Sequence, residues 1–139
     1  MTTILIDTGP LVALLNRRDR YNAWVSEVLD TIEPPVFTCD AVLSEACFLL
    51  QRVEGGADAI LGLVAQGIVT SDFRVMTEVK ALRTLMERFA NVPMSLADAC
   101  LVRMTELEAD SVVVTLDRDF TIYRRNRRQA VPTISPGRQ

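Results

Sequence analysis

Histidine is absent from this sequence. That removes Ser-His-Asp and Cys-His nucleophilic catalysis, which need an imidazole to carry the proton. It also removes imidazole-ligated zinc, copper and non-haem iron. Any enzyme built on this chain must work with carboxylates, hydroxyls, arginines or a bound cofactor, and carboxylates select hard cations such as Mg²⁺ and Mn²⁺. Long apolar runs are missing too: none approaches the roughly 20 residues that cross a bilayer. The opening MTTILIDTGPLVALLN has no leading positive charge, carries Asp7 inside its apolar stretch and lacks a small-residue cleavage site. It reads as a strand running into a helix, and a cytoplasmic protein is expected. Cysteine is sparse and odd in number. Cys39, Cys47 and Cys100 match no zinc spacing and sit in apolar contexts, which suits small buried side chains rather than a disulfide framework.

What is present begins with 139 residues, 49% of them hydrophobic, enough for one core and one domain spanning 1–139. No internal repeat, low-complexity stretch or linker divides it. The formal charge of −3 is unevenly spread. Residues 1–117 hold 17 acids and 9 bases, whereas residues 118–139 hold Arg118, Arg124, Arg125, Arg127, Arg128 and Arg138 against Asp119 alone. An acidic body with a basic tail can hold metal ions and also attract a phosphate backbone; a solvated tail near an ordinary terminus has the same composition.

Patterning predicts strands alternating with helices. TILID, residues 3–7, is a strand, and Gly9-Pro10 then open a short helix from Leu11 to about Asn16. Trp24, Val25, Val28, Leu29 and Ile32 fall at helical spacing within Tyr21–Ile32. Pro34-Pro35 end that helix, PVFTC forms a strand, and Asp40 is the expected cap of a helix over Ala41–Val53. Further helices are predicted over Ala57–Gln66, Val75–Asn91 and, capped by Ser95, Leu96–Glu108. IVTS is a short strand, SVVVT (111–115) has the unbroken apolar character of a strand in a parallel sheet, and an edge strand is expected near Ala130–Ile134. The fold class is therefore α/β, with a central, mostly parallel sheet and helices on both faces.

Open parallel sheets bind ligands beyond the carboxyl ends of their strands. Asp7 closes the first strand and Asp117 lies just past SVVVT. Asp98 sits in the first turn of its helix within LADACLV, and Glu45 in the second turn of another, beside Ala46, Cys47, Phe48, Leu49 and Leu50. Each acid is embedded in apolar sequence, where a lone carboxylate is disfavoured unless it is paired or holds a metal. Each also has a plain structural reading: a turn before Gly9 for Asp7, a solvent-side helix position for Glu45, a capping box with Ser95 for Asp98, and a turn in LDRD for Asp117. The joint placement favours one shared pocket for all four.

These segments resemble the PIN-domain ribonucleases, in particular the VapC-type toxins of bacterial toxin–antitoxin pairs. ILIDTGPLVALLNRRD is similar to that family's first-strand acid and following helix, SEACFLL to the segment carrying the second acid, LADACLV to the helix of the third, and VVVTLDRDF to the strand and turn of the fourth. The resemblance covers nearly the whole chain and implies a PIN-like three-layer fold. It implies a metal-dependent ribonuclease with Asp7, Glu45, Asp98 and Asp117 as catalytic acids. Asp7, Asp98 and Asp117 would bind one or two Mg²⁺ or Mn²⁺ ions that activate a water and stabilise the leaving oxygen. Glu45 would act through water or position the nucleophile. Thr115 and Asp119 are auxiliary residues, Thr8 is a weaker candidate, and Arg124, Arg125, Arg127 and Arg128 would hold RNA phosphates. The implied partners are an RNA substrate, a second copy of the chain and a small antitoxin whose C-terminal segment enters the groove. Many relatives carry a histidine after the first helix, where this chain has Asn22. Asp7-Thr8-Gly9 is also the aspartic-protease triplet, but that fold is all-β and this chain has several long helices. Phosphatase and receiver-domain readings lack their second acid near Asp7. A processing nuclease without toxin function, or a non-catalytic RNA- or protein-binding domain, remains the alternative.

Overall fold

The structure is a computed structural model that describes residues 1–137; Arg138, counted above in the basic tail, lies outside the described residues. Strand β1 (Thr3–Ile6) runs into helix α1 (Thr8–Leu15), followed by α2 (Asn22–Asp30) and strand β2 (Val36–Phe37). Helices α3 (Asp40–Leu49) and α4 (Gly56–Ala65) lead to β3 (Val69–Thr70), and α5 (Val75–Arg88) and α6 (Leu96–Leu107) to β4 (Ser111–Val114). A 3₁₀ turn (Arg118–Thr121), a hairpin of β5 (Arg124–Arg125) and β6 (Gln129–Ala130), and β7 (Thr133–Ile134) complete the described chain.

Five strands form one parallel sheet in the order β3-β2-β1-β4-β7. The chain lays β2 and β3 on one side of β1 and then crosses to place β4 and β7 on the other. The strand order therefore switches between β1 and β4, and a crevice opens beyond their carboxyl ends. Ile6, Val113 and Val114 are fully buried, as strands covered on both faces require. Helices α1 to α4 pack among themselves, α5 packs on α6, and α3 meets α6. No helix is long and apolar enough to cross a membrane among the described residues. Cys39 and Cys100 are buried and Cys47 half-buried, and all three are free thiols.

The observed elements differ from expectation mainly at helix ends. Helix α1 begins at Thr8 rather than Leu11, because the Asp7 carboxylate accepts the Thr8 N–H at 2.7 Å and caps the helix three residues early. Asp40 does not cap α3; it is the first helical residue, and its carboxylate accepts the Ser71 hydroxyl at 2.7 Å. Helix α3 stops at Leu49, where three-residue turns replace the helical pattern: Gln51 N–H bonds the Phe48 carbonyl at 3.2 Å and Val53 N–H the Leu50 carbonyl at 2.9 Å. The expected edge strand near 130–134 resolves into two pieces: β6 pairs antiparallel with β5, and β7 joins the main sheet beside β4.

Two glycines in α4 separate packing from propensity. A Cβ at Gly56 would lie 2.6 Å from the Leu50 carbonyl oxygen and 2.8 Å from Leu50 Cβ, whereas a Cβ at Gly62 meets nothing within 4 Å. Gly56→Ala is expected to destabilise the protein by about 1–3 kcal/mol through overpacking. Gly62→Ala is expected to stabilise it by about 0.5–1 kcal/mol by restricting the unfolded chain and favouring helix. Urea midpoints that move in the same direction for both variants would contradict this account.

Candidate metal centre

The pocket is assembled at the switch point. β1 and β4 pair in register, Thr3 to Ser111 through Ile6 to Val114, so Asp7 and Thr115 emerge side by side one residue beyond the ladder. The ladder carries on there, with the Asp7 N–H donating to the Val114 carbonyl at 3.0 Å. Thr115 Oγ1 donates to Asp7 Oδ2 at 2.7 Å and accepts the Asp117 N–H at 3.0 Å. One hydroxyl thus ties the end of the first strand to the turn after the fourth. Asp117 is exposed, and its own Oδ1 accepts the Asp119 N–H at 2.9 Å to start the 3₁₀ turn.

Asp98 arrives from the first turn of α6. Ser95 Oγ accepts the Asp98 N–H at 3.0 Å, so the helix is capped as its sequence suggests. The Asp98 carboxylate turns into the pocket, where Tyr123 Oη donates to its Oδ2 at 2.6 Å. Tyr123 is itself fully buried and wedged edge-on between Phe89 and Phe120, with ring centroids 5.3 and 5.2 Å away. Its orientation is therefore fixed by packing before it meets the acid.

Asp7, Asp98 and Asp117 each bring one carboxylate oxygen to within 4.8 Å of the others. Asp7 is 6% and Asp98 9% exposed. Burial pushes the Asp7 carboxyl up to about 6, against the pull of the Thr115 and Thr8 hydrogen bonds and with help from the neighbouring charges of Asp98 and Asp117. Burial likewise raises Asp98, with the Tyr123 hydrogen bond opposing and Asp117 adding to the rise. No cationic side chain bonds these acids among the described residues. The buried Thr8 hydroxyl beside them has no hydrogen-bond partner among the described residues. Hard oxygen donors, converging negative charge and an unused hydroxyl fit a hard divalent cation, which would return these carboxyls to their charged form.

Three of the four expected acids are brought together. Glu45 is not among them: it stands exposed on α3, with Val42 and Ala46 turned inward in its place. Asp119 is half-buried and stays outside the 4.8 Å group; its carbonyl accepts the Ile122 and Tyr123 N–H groups of the turn. Two of the tail arginines bond backbone carbonyls. Arg124 donates to the carbonyls of Thr121, Ile122 and Tyr123, and Arg125 to those of Thr105 and Ala109, closing the C-terminal end of α6. Thr105 lies seven residues beyond Asp98, about 10 Å along the helix axis. Arg127 and Arg128 are exposed in the hairpin turn, where Asn126 and Arg127 both have positive φ. Tyr123 carries no signal of its role in the sequence, since a lone tyrosine before an arginine run shows no periodicity and its partner is 25 residues away.

The sheet and its rim define a parallel α/β domain with a three-carboxylate pocket at the switch point. A family model described as PIN domain matches residues 4–126, and the chain belongs to the PIN-domain family. Among solved structures, the chain is similar to VapC20 of Mycobacterium tuberculosis, described as a sarcin–ricin-loop-cleaving toxin, at 24% identity and a TM-score of 0.75 over 86% of this chain and 94% of that one. It is also similar to VapBC2 from Rickettsia felis, in a structure bound to a DNA fragment from their promoter, at 13% identity and a TM-score of 0.64 over 97% of this chain and 99% of that one. Among curated proteins no similar sequence was found.

Two predictions follow from the acids and their partners. Because the folded-state value of Asp7 lies above its ordinary 3.8, folding favours the protonated form, and this contribution is lost as pH rises from about 4 through 6. Without metal, wild type should lose about 3 kcal/mol relative to Asp7→Asn over that range, and saturating Mn²⁺ should reverse the loss. Urea unfolding in EDTA at several pH values tests this, and parallel curves for the two proteins would contradict it. Tyr123→Phe, which keeps the ring and deletes the donor, should weaken Mn²⁺ binding about 10–100-fold. Calorimetric titration reads the change, and wild-type affinity would remove Tyr123 from the site.

Proposed function

We infer that this protein is a Mg²⁺- or Mn²⁺-dependent endoribonuclease, the toxin of a VapC-type toxin–antitoxin pair, working in the cytoplasm as a homodimer and restrained by a small antitoxin. The observation that carries this reading is the convergence of Asp7, Asp98 and Asp117 within 4.8 Å at the switch point of a PIN-domain sheet. The likeness of the fold to VapC20 and VapBC2 supports the toxin assignment.

In this reading the three aspartates hold the ion. A divalent cation there would supply Lewis-acid charge to the phosphoryl oxygens and lower the pKa of the attacking water. Thr115 fixes the Asp7 carboxylate and the backbone of Asp117 together, so two acids from distant strands keep one geometry. Tyr123 holds Asp98 from behind. Asp117, the exposed member, faces the entering phosphodiester. Glu45 serves as an outer acid acting through water, with Asp119 steadying the turn beside Asp117. Arg127 and Arg128 attract RNA over a longer range, an effect screened by salt.

Asp7→Asn and Asp98→Asn are expected to lose metal-dependent RNA cleavage by at least about 100-fold while keeping the far-UV circular dichroism of wild type. Glu45→Gln should lower the rate without abolishing it. Undiminished cleavage by either aspartate variant would overturn the mechanism. A non-catalytic binding domain is separated by metal linkage. Mn²⁺ at 100 times its Kd should stabilise wild type by about 2.7 kcal/mol and leave Asp98→Asn largely unaffected.

A further inference from the structure

A second concavity adjoins the acids. It has a volume of about 300 Å³ and lies beyond the carboxyl ends of β4 and β7, between the loop joining α1 to α2 and the 3₁₀ turn. Its wall includes Thr115 and Asp117, so it shares one of the three carboxylates and the hydroxyl that bonds Asp7 with the metal centre. Its wall also includes polar residues that no part of the metal centre uses, Arg20, Tyr21, Arg118, Thr133 and Ser135.

The chemistry of this wall is specific in kind. Arg20 lies over the Tyr21 ring, its guanidinium carbon 5.2 Å from the centroid, so a cation and a flat π-surface are already stacked in one unit. Neither Arg20 nor Arg118 has a carboxylate within 4.0 Å among the described residues, which leaves both guanidinia free for an anion. The volume is at the small end for ligand sites, enough for one nucleotide-sized group and not for a run of stacked bases.

We propose that this cavity is a nucleotide subsite: it takes one unstacked ribonucleotide flanking the scissile phosphate, with its base against the Arg20–Tyr21 pair and its phosphate between Arg20 and Arg118. This rests on the ribonuclease reading above and adds to it a recognition element. Single-stranded RNA is read through splayed bases stacked on aromatic rings and guanidinium planes. A phosphodiester seated on Asp117 puts its neighbouring nucleotide at the mouth of this cavity. Arg20, Tyr21 and Arg118 are then the residues that choose where the strand is cut, while the aspartates determine that it is cut.

The experiment is an abasic scan by binding, in the Asp98→Asn background so that no cleavage occurs. From a set of fluorescein-labelled heptaribonucleotides, the tightest binder is resynthesised with one base at a time removed. A base stacked in the cavity makes one position stand out, with affinity falling about tenfold when that base is absent. Tyr21→Ala should lose the same factor with the intact oligonucleotide and lose nothing more with the abasic one, while Tyr21→Phe retains wild-type behaviour. Arg118→Gln should weaken every oligonucleotide equally and reduce the salt dependence. Unchanged affinity in Tyr21→Ala, or losses that simply add, would overturn the subsite. An acidic peptide that competes while no abasic position matters would also overturn it, in favour of a protein occupant. Because binding is read without turnover, absence of RNA cleavage by wild type would defeat the ribonuclease reading separately from this result.

Discussion

The in-register parallel pairing of β1 with β4 is the constraint on which the rest of the site depends. Parallel strands in register send equivalent residues to the same height on the same rim. Ile6 faces Val114, so the next residues along, Asp7 and Thr115, emerge together and can share a hydrogen bond across 108 positions of sequence. A slip of one residue would turn Asp7 toward the opposite face and separate the pair. The strands are short, four residues each, and their register is held by burial: Ile6, Val113 and Val114 have no exposed surface. Apolar packing on both faces of a small sheet therefore fixes the positions of charged groups that contribute nothing to that packing.

Those groups work against the stability of the fold. Two buried carboxyls have no cationic partner among the described residues, and burial raises both above their ordinary values. The surrounding polar contacts lower the cost without removing it: Thr115 and Thr8 N–H on Asp7, Tyr123 on Asp98. All of these are donors from neutral groups. They orient the oxygens and leave the negative charge unbalanced, which is the condition a site for a hard cation needs. The wedging of Tyr123 between two phenylalanines shows the same division, with the rigid apolar core supplying aim and the polar tip supplying contact.

Much of this was legible in the sequence where the signal was local. Asp7 after an apolar strand, Asp117 after another, Ser95 before a helix and Asp98 inside its first turn each declare their place within a few residues. Periodicity, caps and Gly/Pro breakers located the six α-helices of the described residues, and the misplaced ends of α1 and α3 trace to local contacts: the Asp7 cap and the three-residue turns that follow Leu49. What the sequence hid depended on tertiary neighbours. Tyr123 reaches Asp98 only after the chain has folded over α6. Arg124 and Arg125 look like nucleic-acid contacts in a basic run, yet bond backbone carbonyls, one set closing a 3₁₀ turn and the other a helix C-terminus. Charge alone does not distinguish an arginine that faces solvent from one that caps a helix. Glu45 shows the reverse limit: its apolar neighbours suggest burial, but on a helix they alternate between faces, and Glu45 falls on the outward one.

The acid pocket draws on the first strand and on the turn after the fourth, so it is divided between the two ends of the chain. During translation the N-terminal half carries Asp7 with neither Asp98 nor Asp117 to join it. The three oxygens can meet only once β4 has emerged and inserted beside β1. The crowding of the three acids, and the cost of burying them, therefore enters late in synthesis, when β4 pairs with β1.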